Sequence, residues 1–151
     1  MPDYSLEATY YRTTLLLGLT RGEIVHRWAE QVIEKDPEPP HALFEVASVP
    51  HTDLSALRDA LWPLVAEPEP SIVLEAVLGL LHEDLASGRR GLEDTVTILR
   101  QMRGMLRLPP DLYTGLNAAF VDAATGSAGR LPIIRWLDQF ARSGLAQLRR
   151  D

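Results

Sequence analysis

Residues 23–40 read EIVHRWAEQVIEKDPEPP, and the partition of this stretch decides the fold. On a helical wheel Ile24, Val25, Trp28, Ala29, Val32 and Ile33 gather on one half, with Trp28 near its centre. Glu23, Arg27, Glu30 and Glu34 fill the other half, and His26 stands at the margin beside Ile33. Apolar spacings of three and four mark an amphipathic helix. Glu23 and Arg27 are also in the favourable order for an ion pair one turn apart. Asp36-Pro37 then stops the helix, because proline lacks the amide hydrogen and disfavours helical backbone in the residue before it. Upstream, Thr20 and Glu23 have the spacing of a capping box, in which hydroxyl and carboxylate each satisfy an orphan amide.

The same punctuation recurs along the chain. Residues 6–17 are expected to form a first helix closed at Gly18, although TYYRTTLLL also permits a strand. Pro39-Pro40 opens a short third helix from His41 to Ala47, closed before Pro50. Thr52 or Asp53 caps a fourth, with Leu54, Leu57, Leu61, Leu64 and Val65 at core spacing. Ser71 starts a fifth, which ends at Ser87-Gly88, where glycine suits a left-handed cap. Residues 92–107 make a sixth, and Pro109-Pro110 starts a seventh that runs to Gly126. An eighth follows GSAGR and carries Ile133, Ile134, Trp136, Leu137, Phe140, Leu145 and Leu148. Strand alternation is almost absent, and no repeat of fixed period is found. The expectation is an all-α fold: a compact array of about seven to eight antiparallel helices joined by short Pro/Gly-rich loops. A single helical domain over residues 1–151 is expected, since no linker is longer than the PEP segments at 36–40 and 67–70.

Composition narrows the function classes. The chain has 151 residues, 46% hydrophobic and 24% charged, an ordinary globular balance that argues against disorder. It has no cysteine, which excludes disulfides, thiolate nucleophiles and cysteine-ligated zinc. Asp3 and Glu7 stand where an export signal wants positive charge. The longest apolar run, IVLEAVLGLL at 72–81, contains Glu75 and falls well short of the ~18 residues that span a bilayer. A cytoplasmic protein without membrane attachment is expected. With a pI near 5.2, general nucleic-acid binding is not.

Catalytic motifs are scarce. No GxSxG elbow or SxxK occurs, and ATGSAGR lacks the lysine and spacing of a phosphate loop. His26 and Glu30 lie four apart, as do His41 and Glu45, so each pair presents two potential metal ligands on one helix face. A metal site needs a third or fourth ligand, and no HExxH is present, so solvated helix faces are the simpler reading. His82 sits near a helix end, where a chargeable ring complements the dipole. Trp28, Trp62 and Trp136 stand among periodic apolar residues and are expected in the core. No cofactor is implied.

Charge is uneven. Residues 1–87 hold 5 Lys+Arg and 15 Asp+Glu, residues 88–151 hold 10 and 6, so a net of −10 is followed by one of +4. On the sixth helix Arg100, Arg103 and Arg107 form one stripe, opposite Ile98, Leu99, Met102, Met105 and Leu106. Such a stripe suits phosphate or an acidic partner. The simpler reading turns it to solvent or to the acidic half of its own fold.

Residues 17–46 carry a resemblance. The pattern runs through Gly18-Leu19, Glu23-Ile24-Val25, Trp28-Ala29-Glu30, Ile33, Asp36, Pro39-Pro40, Leu43 and Val46. In this it resembles a group of small, uncharacterised all-helical bacterial proteins, some of which look like immunity partners of secreted toxins. Glu30 replaces the aspartate of that pattern, and Ala47-Ser48 departs from its end. The shared positions are mostly core and cap residues, so the resemblance implies a fold more than an activity. Together these features lead to the expectation of a non-enzymatic, protein-binding helical domain, immunity-like or regulatory. The alternative is a small metal-dependent enzyme using His26, Glu30, His41 and Glu45.

Overall fold

A computed structural model of the chain describes residues 3–65 and 71–141. These form eight α-helices and one 3-10 turn, with no strand among the described residues: α1 (Ser5–Leu16), α2 (Gly22–Lys35), α3 (His41–Ser48), α4 (Leu54–Leu61), the turn Trp62–Leu64, α5 (Ser71–Ala86), α6 (Leu92–Met105), α7 (Pro110–Thr125) and α8 (Leu131–Asp138). The fold is all-α. The second PEP segment, Leu145 and Leu148 lie outside the described residues, and the eighth helix stops at Asp138, which leaves Phe140 in the turn after it instead of on the helix. The chain divides into two compact units, and the division falls inside α5, between Val73 and Leu74.

In the first unit α1 resolves the helix-or-strand ambiguity. Ala8, Thr9, Tyr10, Tyr11, Thr13, Thr14 and Leu15 are all buried, so α1 is enclosed on nearly every side. Buried hydroxyls need acceptors, and a helix supplies them from its own preceding turn. Thr9 Oγ1 donates to the Ser5 carbonyl at 2.6 Å, and Thr14 Oγ1 to that of Tyr11 at 3.2 Å. Gly18, at φ +74°, then closes the helix in the left-handed region that other residues avoid.

The wheel drawn for α2 holds. Trp28 is 6% exposed, its ring lies 5.1 Å from that of Tyr11, and its indole N–H donates to Glu7 at 3.1 Å. One residue of α2 thus ties it to α1 by packing and by a hydrogen bond. The capping box does not form. Arg21 is extended and becomes the N-cap, the helix starts at Gly22, and no side chain caps it. Thr20 is left one residue too early, buried with its hydroxyl unpartnered. Asp53 rather than Thr52 caps α4, accepting from the Ala56 amide at 3.0 Å. Trp62 departs from expectation. It begins the 3-10 turn, is 49% exposed, and lies under the Arg12 guanidinium at 4.6 Å. Its backbone is still helical, at φ −51°, ψ −43°, and one step of about 100° past Leu61 carries it off the buried stripe of Leu57, Ala60 and Leu61.

The second unit carries the rest of α5, where Leu74, Val77, Leu78 and Leu81 are buried. At its end Gly88, φ +79°, turns the chain back so that two arginines reach a buried carboxylate. Arg89 Nε lies 3.1 Å from Asp84 Oδ1 and Arg90 Nε 3.9 Å from Oδ2. A carboxylate at a helix C-terminus opposes the dipole, and burial worsens the cost, so cations are recruited to it. His82 stands near the C-terminal end of α5. It meets the Asp138 carboxylate of α8 at 2.7 Å. On α7, Gly115 passes so close to Trp136 that an added Cβ would stand 2.6 Å from the indole nitrogen. Trp136 cannot easily retreat, because Phe140 packs edge-on at 5.0 Å.

Two expectations follow from this packing, both readable by denaturant unfolding. Trp28→Ala should cost ~3–5 kcal/mol through lost burial and a residual cavity, and a loss below ~1 kcal/mol would mean that Trp28 does not anchor α2. For glycines the signs should oppose. Gly104 has nothing within 4 Å of an added Cβ, so Gly104→Ala should stabilise by about 0.4–1 kcal/mol. Gly115→Ala gains the same propensity but overpacks Trp136 at about 1–3 kcal/mol, so it should destabilise. Stabilisation by both would contradict the α7–α8 contact.

Candidate functional site

The residues singled out for metal binding do not converge. His26 Nε2 is hydrogen-bonded to the Val49 carbonyl, and the imidazole beside it is His51, at 6.1 Å between ring centroids. Glu30 is exposed on α2. His41 and Glu45 approach only each other, at 3.9 Å, with both side chains largely exposed. His51 in turn faces Glu23 at 3.7 Å. Among the described residues no group of three or more His, Cys, Asp or Glu is placed to hold a metal ion.

The arginine stripe fares differently. Residue 108 precedes Pro109, which favours extended backbone there, and α6 ends at Met105 with Leu106 already extended at φ −108°, ψ 150°. Arg107 therefore lies beyond the helix and leaves the stripe, and Met105, in the last turn, is 55% exposed instead of lying on the apolar face. Arg100 and Arg103 remain on one face. Both reach toward α7 of their own unit; Arg100 is exposed, as a solvent-facing stripe requires, and Arg103 is half-buried. The Arg103 guanidinium lies 4.8 Å from the centroid of the Phe120 ring, and that of Arg100 lies 5.6 Å from the same centroid. Arg103 also donates from Nη1 to Asn117 Oδ1 at 2.9 Å.

Asn117, Phe120 and Ala124 occupy i, i+3 and i+7 on α7, so they form a stripe matching the one on α6. Between the stripes lies a cleft of about 330 Å³, lined by Arg100, Arg103, Asn117 and Phe120 and walled further out by Val121, Ala124 and Arg130. Among the described residues no carboxylate lines it. Among the described residues Arg100 and Arg103 have no acidic partner, whereas Arg130 is engaged by Glu93 through two hydrogen bonds of 3.2 Å each. Val121, at the mouth, is 59% exposed. A guanidinium over an aromatic face is attracted by the ring quadrupole and loses rotamer freedom before any ligand arrives. Two like charges over one ring also repel, and an anion between them relieves that repulsion. The cleft thus sets two ring-held cations beside an apolar wall, an arrangement whose chemistry suits an anion. Sequence reasoning found its two arginines but missed Asn117, Phe120 and Arg130; the spacing of the α7 stripe was the available signal.

No protein-family model, curated protein or solved structure matches the chain.

One titratable group in the first unit is strongly displaced. The Tyr4 hydroxyl donates to Asp36 Oδ2 at 2.7 Å, and this bond, helped by desolvation and the carboxylate charge, raises the phenol to about 12. A raised pKa means that the contact stabilises below the ordinary tyrosine value of ~10 and that this contribution is lost as pH rises through the folded value. In a phenolate absorbance titration, Tyr4→Phe should therefore remove a step near pH 12. Loss of a step near the ordinary value instead would contradict the Tyr4–Asp36 bond.

Proposed function

We propose that the protein is a non-enzymatic, protein-binding helical domain that engages an acidic partner through the cleft of α6 and α7. The single observation that carries this reading is the pair of guanidiniums, Arg100 and Arg103, held over Phe120 without a carboxylate partner among the described residues. Charge left uncompensated on a preorganised apolar surface favours fast, selective association with an oppositely charged surface. The resemblance of residues 17–46 to small bacterial helical proteins favours an immunity-like or regulatory role within that class, in the cytoplasm. The acidic excess of residues 1–87 further suits a partner that also carries basic surface.

Affinity capture with the full chain at low and high salt, in parallel with the double variant Arg100→Gln/Arg103→Gln, tests this. The wild type should retain a protein that salt releases, and the double variant should lose it. Arg100 is exposed and Arg103 half-buried and bonded to Asn117, so the double variant should lose about 1–2 kcal/mol at most and stay folded at the temperature of the capture. A partner held equally by both, at either salt, would remove the cleft from the account.

A further inference from the structure

We infer that the α6–α7 cleft receives a carboxylate from an acidic protein segment with an apolar side chain beside it, and that Glu93 is an internal competitor at its rim. The inference rests on the protein-binding reading and names the group that is recognised.

The rim itself displays the geometry. Arg130 meets Glu93 with Nε on Oε1 and Nη2 on Oε2, both at 3.2 Å, the two-point arrangement by which a guanidinium fork takes a carboxylate. Arg100 and Arg103 offer the same fork without such a partner among the described residues. The Glu93 side chain is 76% exposed, so an incoming carboxylate competes with it at little cost. Displacing it would free a third arginine of the lining.

Phosphate fits less well. Guanidiniums take phosphate as well as carboxylate, but a bare phosphate leaves the wall of Phe120, Val121 and Ala124 without a contact and finds no free amides to add. Arg100 and Arg103 stand in the second half of α6, and Asn117 and Phe120 in the middle of α7, where the amides are spent within the helices. A free small molecule fits less well too. Small-ligand pockets bury most of their ligand in about 300–1,000 Å³. This cleft is at the low end of that range and opens past a Val121 that is 59% exposed. What remains is a chain segment that lays one carboxylate between the arginines and an apolar side chain along Phe120, Val121 and Ala124.

The test is fluorescence anisotropy of the full-length protein with a labelled amphipathic peptide made only of glutamate and leucine. Its controls are the same peptide with glutamine for glutamate, polyglutamate as a competitor, and inorganic phosphate against sodium chloride at matched ionic strength. The acidic peptide should bind, with the glutamine peptide and the Arg100→Gln/Arg103→Gln variant each weakening it by about tenfold or more. Glu93→Gln should tighten it several-fold. Polyglutamate should compete more weakly than the unlabelled peptide, because it has no apolar side chain for the wall. Arg100→Gln alone, which removes only a ring contact, carries the test if the double variant does not fold. Equal binding by wild type and arginine variants, weakening by Glu93→Gln, or competition by polyglutamate equal to that of the peptide would overturn the inference. Displacement by phosphate beyond that by chloride would also overturn it and mark a phosphate site. A captured protein that depends on both arginines yet ignores the peptide and Glu93→Gln would leave the protein-binding reading standing and remove this one.

Discussion

The stop at Leu108-Pro109-Pro110 is the constraint on which the candidate site depends. α6 ends at Met105 because Leu106 turns extended, so the helix cannot carry Arg107 on its face, and Pro109 bars any resumption by disfavouring helical backbone at Leu108 and denying an amide. The same pair of prolines starts the next helix, since a fixed φ and a missing amide suit a first turn. α7 therefore begins at Pro110, and seven residues on its polar and aromatic stripe comes abreast of Arg103. One short turn decides both which arginines belong to the site and which ring they lie on.

Short helices impose a second rule on the rest of the chain. No helix among the described residues exceeds 16 residues, too little for isolated stability, so each must be held by packing. In the first unit α1 is the element enclosed on nearly all sides, and Trp28 of α2 and the turn at Trp62 both meet it. In the second unit charge enters the packing. Asp84 is buried and gathers Arg89 and Arg90, His82 joins α5 to Asp138, and Arg130 is spoken for by Glu93. What sets Arg100 and Arg103 apart is that both guanidiniums lie on one ring, Phe120.

Most of the all-α organisation was legible because proline, glycine and apolar periodicity act locally. Gly18, Asp53, Pro110 and Gly88 mark boundaries whose chemistry is complete within a few residues. Where a boundary depended on one extended residue, reading failed: Arg21 displaced the cap from Thr20, and Leu106 cut the helix short of Arg107. Trp62 is a different miss: it stands among periodic apolar residues, but its own position falls off the stripe of Leu57, Ala60 and Leu61 and leaves it exposed. The site was legible only in part, because a stripe of arginines says nothing about what lies across from it. Asn117 and Phe120 were visible as a matching stripe, but pairing the two helices takes tertiary structure. The division within α5 left no trace in composition, as it interrupts neither the apolar run nor the helix.

The central claim is that Arg100 and Arg103, preset on Phe120, are where a partner's acid docks. Arginine side-chain NMR tests it most directly, following each Nε–Hε resonance in the free protein and during titration with an acidic partner segment. In the free state the signals of Arg100 and Arg103 should be displaced by the Phe120 ring current and return toward ordinary positions in Phe120→Leu. On titration these two should move first, followed by Arg130 as Glu93 gives way. Two ordinary arginine signals in the free protein, or first movement at Arg89, Arg90 or Arg135, would contradict the account.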